Sequence, residues 1–467
     1  MERARRLLDQ LHSLKGQFGP KPAREAAAVL ARIVQTRFRT PEDLIRLHEL
    51  VLYLRAYPQS PRVVKLADEI LFSFAARLRG LDRDAFEDPE ISGIAGTGLS
   101  TAFSYDVARR LAARYPIEID WENYEHPDRL GIVLGKLIPL AQEYAAVEPH
   151  VDWRYWFDRA RGNLKWLLER VDRSTYDMLE IPLRWELGES AASRSKTRIP
   201  CRQIFYHNGP FLKRSEVSFE GTFSEPKIIL KRVARPQKLL NVILDTSAVR
   251  YRELWGFTYP DAKHVYHAHF GRGVDFYFFG VPREWRLPLR AYHGGMFFKN
   301  GVPIGYFEGL SLFERMEAGF NLYYTFREGE TAWLYANILK TFREFLGVTC
   351  YSIDPYQLGH ENEEAIESGA FWFYRKLGFR SASRELRPLI EREEARIAAN
   401  REYRTPPAVL RKLASAPMIY GGGEEWDRFD LRKLPLFPPV ESGKDAPEER
   451  TYLRRMQKDR ALRRKLV

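Results

Sequence analysis

The apolar period of the chain changes near Ser190, and that change decides what the chain can fold into. From Ala4 to about Arg79 apolar residues return every three or four positions: Leu7, Leu8, Leu11 and Leu14, then Ala26, Val29, Leu30 and Ile33, then Leu44, Leu47, Val51 and Leu54. Residues at that spacing share one face of a helix, so the segment predicts helix upon helix. Breaks fall at Gly19-Pro20-Lys21-Pro22, at Thr40-Pro41 and at Pro58-Gln59-Ser60-Pro61, with Thr40 an N-cap ahead of Glu42 and Asp43. A further helical stretch is expected from about Asp152 to Val171. Between them Gly93, Gly96 and Gly98 lie in a loop that lacks the upstream strand of a dinucleotide-binding turn. A connecting loop is the better reading there than a phosphate cradle.

Past the small, polar passage GESAASRSKTRIP the pattern becomes β-type. Strands are expected at 203–206, 227–230, 264–270, 274–279, 292–298, 302–308, 320–325 and 348–353. Lys299-Asn300-Gly301 joins two of them, and Asn-Gly supplies the positive φ angles of a tight hairpin turn. The last two bracket a helix whose core face is Tyr335, Ile338, Leu339, Phe342, Phe345 and Leu346. A strand, helix, strand succession makes a crossover with a parallel pair of strands.

The fold class expected is therefore α/β (α+β): an all-α domain over 1–189, then a mixed sheet with flanking helices over 200–385. A helical, Pro-rich and basic extension follows over 386–467. At 467 residues the chain exceeds what one core accommodates, which agrees with several domains. Its two cysteines, Cys201 and Cys350, exclude a disulfide framework or a cysteine-based zinc module. No apolar run is long enough to span a bilayer, so a cytoplasmic protein without membrane insertion is expected. The net charge of +12, from 74 basic and 62 acidic residues, favours anionic partners in general, a phosphorylated cofactor, an RNA or tRNA, or a membrane surface, without choosing among them.

Two clusters carry possible chemistry. His264, His267 and His269 are spaced so that, on a strand, the last two share a face and the first points away. Three imidazoles meet one metal ion only if the backbone bends or Asp275 joins them. The expectation is hydrogen-bonded histidines and no metal. The other cluster is SGAFWFYRKLGF, from Ser368 to Phe379. Periodicity reads it as a core helix with Gly378 at its C-terminal end.

Ala370, Tyr374 and Lys376-Leu377-Gly378-Phe379 match in spacing the closing motif of the GNAT superfamily of acyl-CoA-dependent N-acyltransferases, and the hairpin GMFFKNGVPIGYFEG, with Gly305, resembles that family's central strand pair. The resemblance covers roughly residues 200–385. It implies an N-acyltransferase that uses acyl-CoA as co-substrate, a small molecule or protein carrying the acceptor amine, and Tyr374 as the acid that protonates the leaving thiolate. The cofactor's pyrophosphate would meet Arg327, Gly329, Glu330, Thr331 and Ala332 at the start of the crossover helix. Here the chain departs from the family pattern: the first glycine comes one place early, and Glu328 and Glu330 would face a diphosphate. Glu308, at a strand end beside Gly309, is the favoured base among His293, Glu308, Glu317 and Tyr323. Two alternatives stay open: a transferase of the same fold that takes its acyl group from an aminoacyl-tRNA, and a non-catalytic binding or scaffold protein.

Overall fold

A computed structural model describes residues 2–422 except Pro89, Pro149, Tyr251, Arg252, Pro288 and Leu289. The chain folds as two compact units, one made of Met1–Gly209 and Lys238–Thr258, the other of Pro210–Gln237 and the chain from Tyr259 onward. It is α/β, with a helical N-terminal region and a large mixed sheet. Among the described residues no helix is long and apolar enough to cross a membrane.

The first unit opens with α1 (Glu2–Leu14), α2 (Pro20–Val34), α3 (Pro41–Ala56) and α4 (Pro61–Phe72). Each of the last three begins with proline, whose missing N–H costs nothing in a first turn. Thr40 caps α3 by accepting the Asp43 amide, as expected, and Leu8, Leu11, Leu30, Leu44 and Leu54 are fully buried. The strands β1 (Gly98–Ala102), β2 (Ile117–Ile119) and β3 (Pro182–Glu186) form a small antiparallel sheet in the order β1-β3-β2, with α5 (Tyr105–Ala112) between the first two in sequence. Gly93 and Gly96 both have φ +90°, and a Cβ on Gly93 would stand 2.6 Å from the Val249 carbonyl oxygen. These glycines serve close chain packing. The stretch expected as helix from 152 to 171 is two short helices, Trp153–Arg159 and Leu164–Leu168. Arg161 at φ +53° and Gly162, whose Cβ would meet the Phe157 ring at 2.8 Å, interrupt it.

A third part of this unit was not legible as such. The helix α6 (Gln237–Ala248) belongs here although β-type sequence surrounds it. Its Asp245 explains why: Arg110 Nη1 and Arg114 Nη1 donate to Oδ1 at 3.1 and 2.8 Å, and Tyr115 Oη donates to Oδ2 at 2.6 Å.

The second unit is built on a nine-stranded sheet: β4 (Leu230–Arg232), β5 (Val265–Gly271), β6 (Val274–Gly280), β7 (Ala291–Lys299), β8 (Val302–Leu312), β9 (Arg315–Leu322), β10 (Cys350–Ile353), β11 (Arg380–Ser381) and β12 (Met418–Gly421). Their spatial order is β11-β12-β10-β9-β8-β7-β6-β5-β4. From β4 to β9 neighbours are antiparallel, and the hairpin turn has Asn300 at φ +50° and Gly301 at φ +80°, as Asn-Gly predicts. The crossover helix α7 (Thr331–Leu346) then returns the chain so that β10 lies parallel to β9. Gly347, at φ +73°, ends it. Its buried face packs on the sheet, with the Phe342 ring 5.0 Å from Phe307 and 5.2 Å from Phe278, and Tyr335 5.0 Å from Phe320. Phe345 and Leu346, expected on the same face, are only half-buried.

Four expectations are corrected. Residues 203–206 are irregular, and the strand expected at 227–230 begins at Leu230. The strand expected at 320–325 runs instead from Arg315 to Leu322, because the charged start is buried and bonded: Arg315 Nε donates to Ser352 Oγ at 3.0 Å. The sheet also does not end at residue 385. After α8 (Ala370–Lys376), α9 (Arg387–Ala399) and α10 (Pro407–Leu413), β12 inserts between β10 and β11. The Pro-rich passage near Pro435 and the basic end of the chain lie outside the described residues.

Candidate functional site

The parallel pairing of β9 and β10 is short. It joins Arg315 to Cys350, Met316 to Tyr351 and Glu317 to Ser352, after which β9 continues to Leu322 while β10 stops at Ile353. There Asp354 turns the chain away, its carboxylate accepting the Tyr356 amide at 2.9 Å. Beyond Glu317 the β10 side of β9 is therefore uncovered by β10, and a cleft of about 250 Å³ opens beside Phe320, Asn321 and Leu322.

Three other segments wall the cleft. Thr331 starts α7 and Arg327 lies just ahead of it, Gln357 and Glu364 come from two short helices after β10, Pro355–Leu358 and Glu363–Glu367, and Phe373 and Tyr374 from α8. The α8 end explains how Tyr374 is placed. The Phe379 amide donates to the Tyr374 carbonyl at 3.2 Å and the Gly378 amide to that of Arg375 at 3.1 Å, with Gly378 at φ +99°. This left-handed closure requires a glycine and fixes the register of the last turn. The Tyr374 ring meets Tyr335 and Phe379 edge-on, each at 5.7 Å, and is 4% exposed. Its hydroxyl reaches Gln357 Oε1 at 3.5 Å, a long contact that leaves it available to a closer acceptor. Burial pushes the phenol well above its ordinary value, so it keeps its proton across the neutral range.

Of the five residues expected at a pyrophosphate, Arg327 and Thr331 line the cleft and Gly329, Glu330 and Ala332 do not. Arg327 pairs with Glu364 across the cleft wall, and the Thr331 hydroxyl donates to the Arg327 carbonyl at 3.2 Å. The first amide bonded within α7 is that of Leu334, to Glu330 at 3.0 Å, so the amides of Thr331, Ala332 and Trp333 precede the helical ladder. Glu330 is turned inward: its carboxylate takes Arg272 in a two-pronged pair, accepts the Leu212 amide at 3.1 Å and lies 3.8 Å from Lys299 Nζ. The carboxylate that would have repelled a diphosphate is thus spent in the interior, whereas Glu328 is exposed.

Glu308 does not line the cleft. Tyr292 Oη donates to its Oε1 at 2.5 Å, and it faces Gly319 across the β8–β9 pair. A Cβ at Gly319 would stand 3.1 Å from Gln357 Nε2, so Gln357 bridges the space between Tyr374 and Gly319 on β9. The other base candidates are more distant in role. His293 is buried, with burial and then Arg286 holding it down at about 3, and Glu317 is buried beside the strand pairing. Gln357, Glu364 and Phe373 are cleft residues that sequence reasoning passed over. The first two lie on helices of four and five residues, too short to show a period in the sequence, and the third is one of four aromatic residues in succession.

Comparison with protein-family models, with curated proteins and with solved structures finds no match to this chain.

Proposed function

We propose that the second unit transfers an acyl group from an acyl-CoA thioester to an amine, in the manner of the GNAT superfamily that residues 370–379 resemble. One observation carries the reading: the parallel pair β9–β10 parts at a cleft whose walls hold the α7 start on one side and the Tyr374 hydroxyl on the other. The uncovered edge of β9 suits an amide-bearing arm, which adds to an exposed strand edge through main-chain hydrogen bonds. The amides ahead of the α7 ladder suit a phosphate at the mouth. Pockets for whole ligands run to about 300–1,000 Å³, so the cleft accommodates the reacting end and leaves the nucleotide outside.

In that geometry the amine nitrogen attacks the thioester carbonyl, the C–N bond forms, and the C–S bond breaks as the tetrahedral intermediate collapses. The departing sulfur takes a proton from the Tyr374 phenol, and the proton that the ammonium formed by attack gives up returns through solvent to the tyrosinate, which closes the cycle. The raised phenol holds its proton at the start of each turnover, and because the same burial makes it a weaker acid, transfer follows the build-up of negative charge on sulfur. Gln357, in contact with the hydroxyl, orients it.

Calorimetric titration with CoA and acetyl-CoA tests the reading, together with turnover on a panel of amines. Micromolar binding is expected, weakened about tenfold by Arg327→Ala, and Tyr374→Phe is expected to lower kcat by roughly 10²–10⁴ with acetyl-CoA affinity retained. Absence of binding by either thiol or thioester refutes an acyl-CoA donor. Salt-sensitive retention of aminoacyl-tRNA in its place would transfer the same cleft to that donor.

A further inference from the structure

On the sheet face opposite α7, β5 and β6 bring together three metal-type donors. His267 and His269 alternate with Ala268, whose neighbours Tyr266 and Phe270 turn toward the α7 side, where Tyr266 meets Phe345 at 4.8 Å and Phe270 meets Phe276 at 5.9 Å. Asp275 is the cross-strand partner of His269, and His267 lies diagonally across from it. Both imidazoles point at one carboxylate oxygen: His267 Nε2 is 2.7 Å from Asp275 Oδ1, and His269 Nδ1 is 3.0 Å from the same atom. The three donor atoms lie within 4.8 Å of one another.

We propose that His267, His269 and Asp275 bind a divalent transition-metal ion of the zinc class. This reading is independent of the acyl-transfer proposal, since it rests on other strands and other atoms. The sequence let three imidazoles meet one ion only if the backbone bent or Asp275 joined them; Asp275 joins two of them, and His264 pairs with Asp261 instead. Four physical points carry it. The donor set, two imidazole nitrogens and one carboxylate oxygen, suits zinc, cobalt, nickel or ferrous iron and is too nitrogen-rich for magnesium or calcium. The two histidines present Nε2 and Nδ1 respectively to the same point.

The third point is preorganisation. Metal–ligand bonds of about 2.0–2.1 Å in a tetrahedron set donors about 3.3 Å apart. The present separations of 2.7 and 3.0 Å from Asp275 widen to that value by side-chain rotation, and each imidazole binds as the neutral tautomer that carries its proton on the nitrogen facing away from the ion. The backbone is held for this by the tight β5–β6 connection and by the Tyr277 ring, stacked on His267 at 4.5 Å and 16°. The fourth point is access: the His269 side chain is 58% exposed while that of Asp275 is 17% exposed, so the donors sit on a firm floor with an open side. Three protein ligands leave at least one position of the ion to water or an external ligand. Lys231, opposite His267 on β4, is exposed and can turn its charge away from the ion.

The test is a cobalt titration of the tag-free, chelator-treated protein, read by visible absorption and repeated with zinc in competition. A d–d band that saturates at one equivalent and is displaced by zinc is expected. His269→Ala and Asp275→Asn should each weaken cobalt by more than the roughly 10- to 100-fold that loss of an outer-shell partner costs. His264→Ala should leave it unchanged, because His264 pairs with Asp261 outside the cluster. His269 is exposed, so its variant is expected to fold, and far-ultraviolet circular dichroism checks this for all three. No saturable band, or a band indifferent to both His269→Ala and Asp275→Asn, overturns the proposal.

Discussion

Lys299 gives the sharpest quantitative test of the interior. Its ammonium is fully buried, donates to the Arg272 carbonyl at 2.5 Å and stands 3.8 Å from Glu330 Oε2. Burial pushes it down from 10.5 to about 7, opposed by Glu330 and aided by Arg272. The sign follows from proton counting. Between about pH 7 and 10.5 the unfolded chain holds a proton that the folded chain has lost, so this residue's contribution to stability rises with pH across that window. The slope approaches about 1.4 kcal/mol per pH unit, and from pH 7 to 9 it accumulates to about 2 kcal/mol, allowing for half-titration at the start. Lys299→Met fills similar volume without the titrating group. Urea unfolding of parent and variant at pH 7, 8 and 9 should therefore show the parent gaining about 2 kcal/mol on the variant. Every other titrating group is common to both proteins and cancels in the difference. A gap that stays constant across the three pH values refutes the buried, depressed lysine.

Glu330→Gln, which leaves Arg272 and Lys299 without their carboxylate, should cost about 3–5 kcal/mol in urea unfolding at pH 7 and should not tighten acetyl-CoA binding. Gly305→Ala puts a Cβ 2.3 Å from the Asn321 carbonyl oxygen, a backbone atom that cannot step aside, and should lower stability by about 1–3 kcal/mol with a matching fall in melting temperature. Tyr374→Phe removes only a 3.5 Å hydrogen bond and should change stability by less than about 1 kcal/mol, so any loss of turnover reports on the hydroxyl and not on the fold.

The sequence exposes features whose cause is local. Asn300-Gly301 makes its hairpin because both residues tolerate positive φ, and Tyr335, Ile338, Leu339 and Phe342 are buried because helical spacing places them on one stripe. Tyr374 stands out because a glycine is needed four places later to close the helix. What was illegible depends on partners remote in the chain. Charged Arg315 starts a strand because Ser352 accepts its Nε, and Glu330 turns inward because Arg272, 58 residues earlier, receives it. Met418–Gly421 is a four-residue run that becomes a strand only when β10 and β11 offer edges on both sides. The cleft itself arises from a mismatch in strand length, which no single segment encodes.

The same distinction between local pattern and tertiary setting decides a second constellation, in the first unit. Ser195 Oγ lies 3.0 Å from His48 Nε2, and His48 Nδ1 lies 3.0 Å from Glu49 Oε1, the hydrogen-bond order of a nucleophilic serine, its base and an orienting carboxylate. A nucleophile must also be reached by substrate. Ser195 and His48 are both wholly buried, the serine oxygen accepts the Ala95 amide at 3.0 Å, and Arg194 clamps both oxygens of Glu49 at 2.9 Å. Burial, ahead of the countering Glu49 contact, lowers His48, which keeps the imidazole neutral and able to accept from the serine hydroxyl. The group therefore ties α3 to residues 92–95 and 193–197. Ser195→Ala should cost about 1–3 kcal/mol by leaving the Ala95 amide and a ring nitrogen without their partner, read as a shift in urea midpoint. A fluorophosphonate probe should leave Ser195 unlabelled on the folded protein. Stoichiometric labelling at Ser195, abolished by His48→Ala, would show that substrate does reach the hydroxyl and would make this trio a catalytic site.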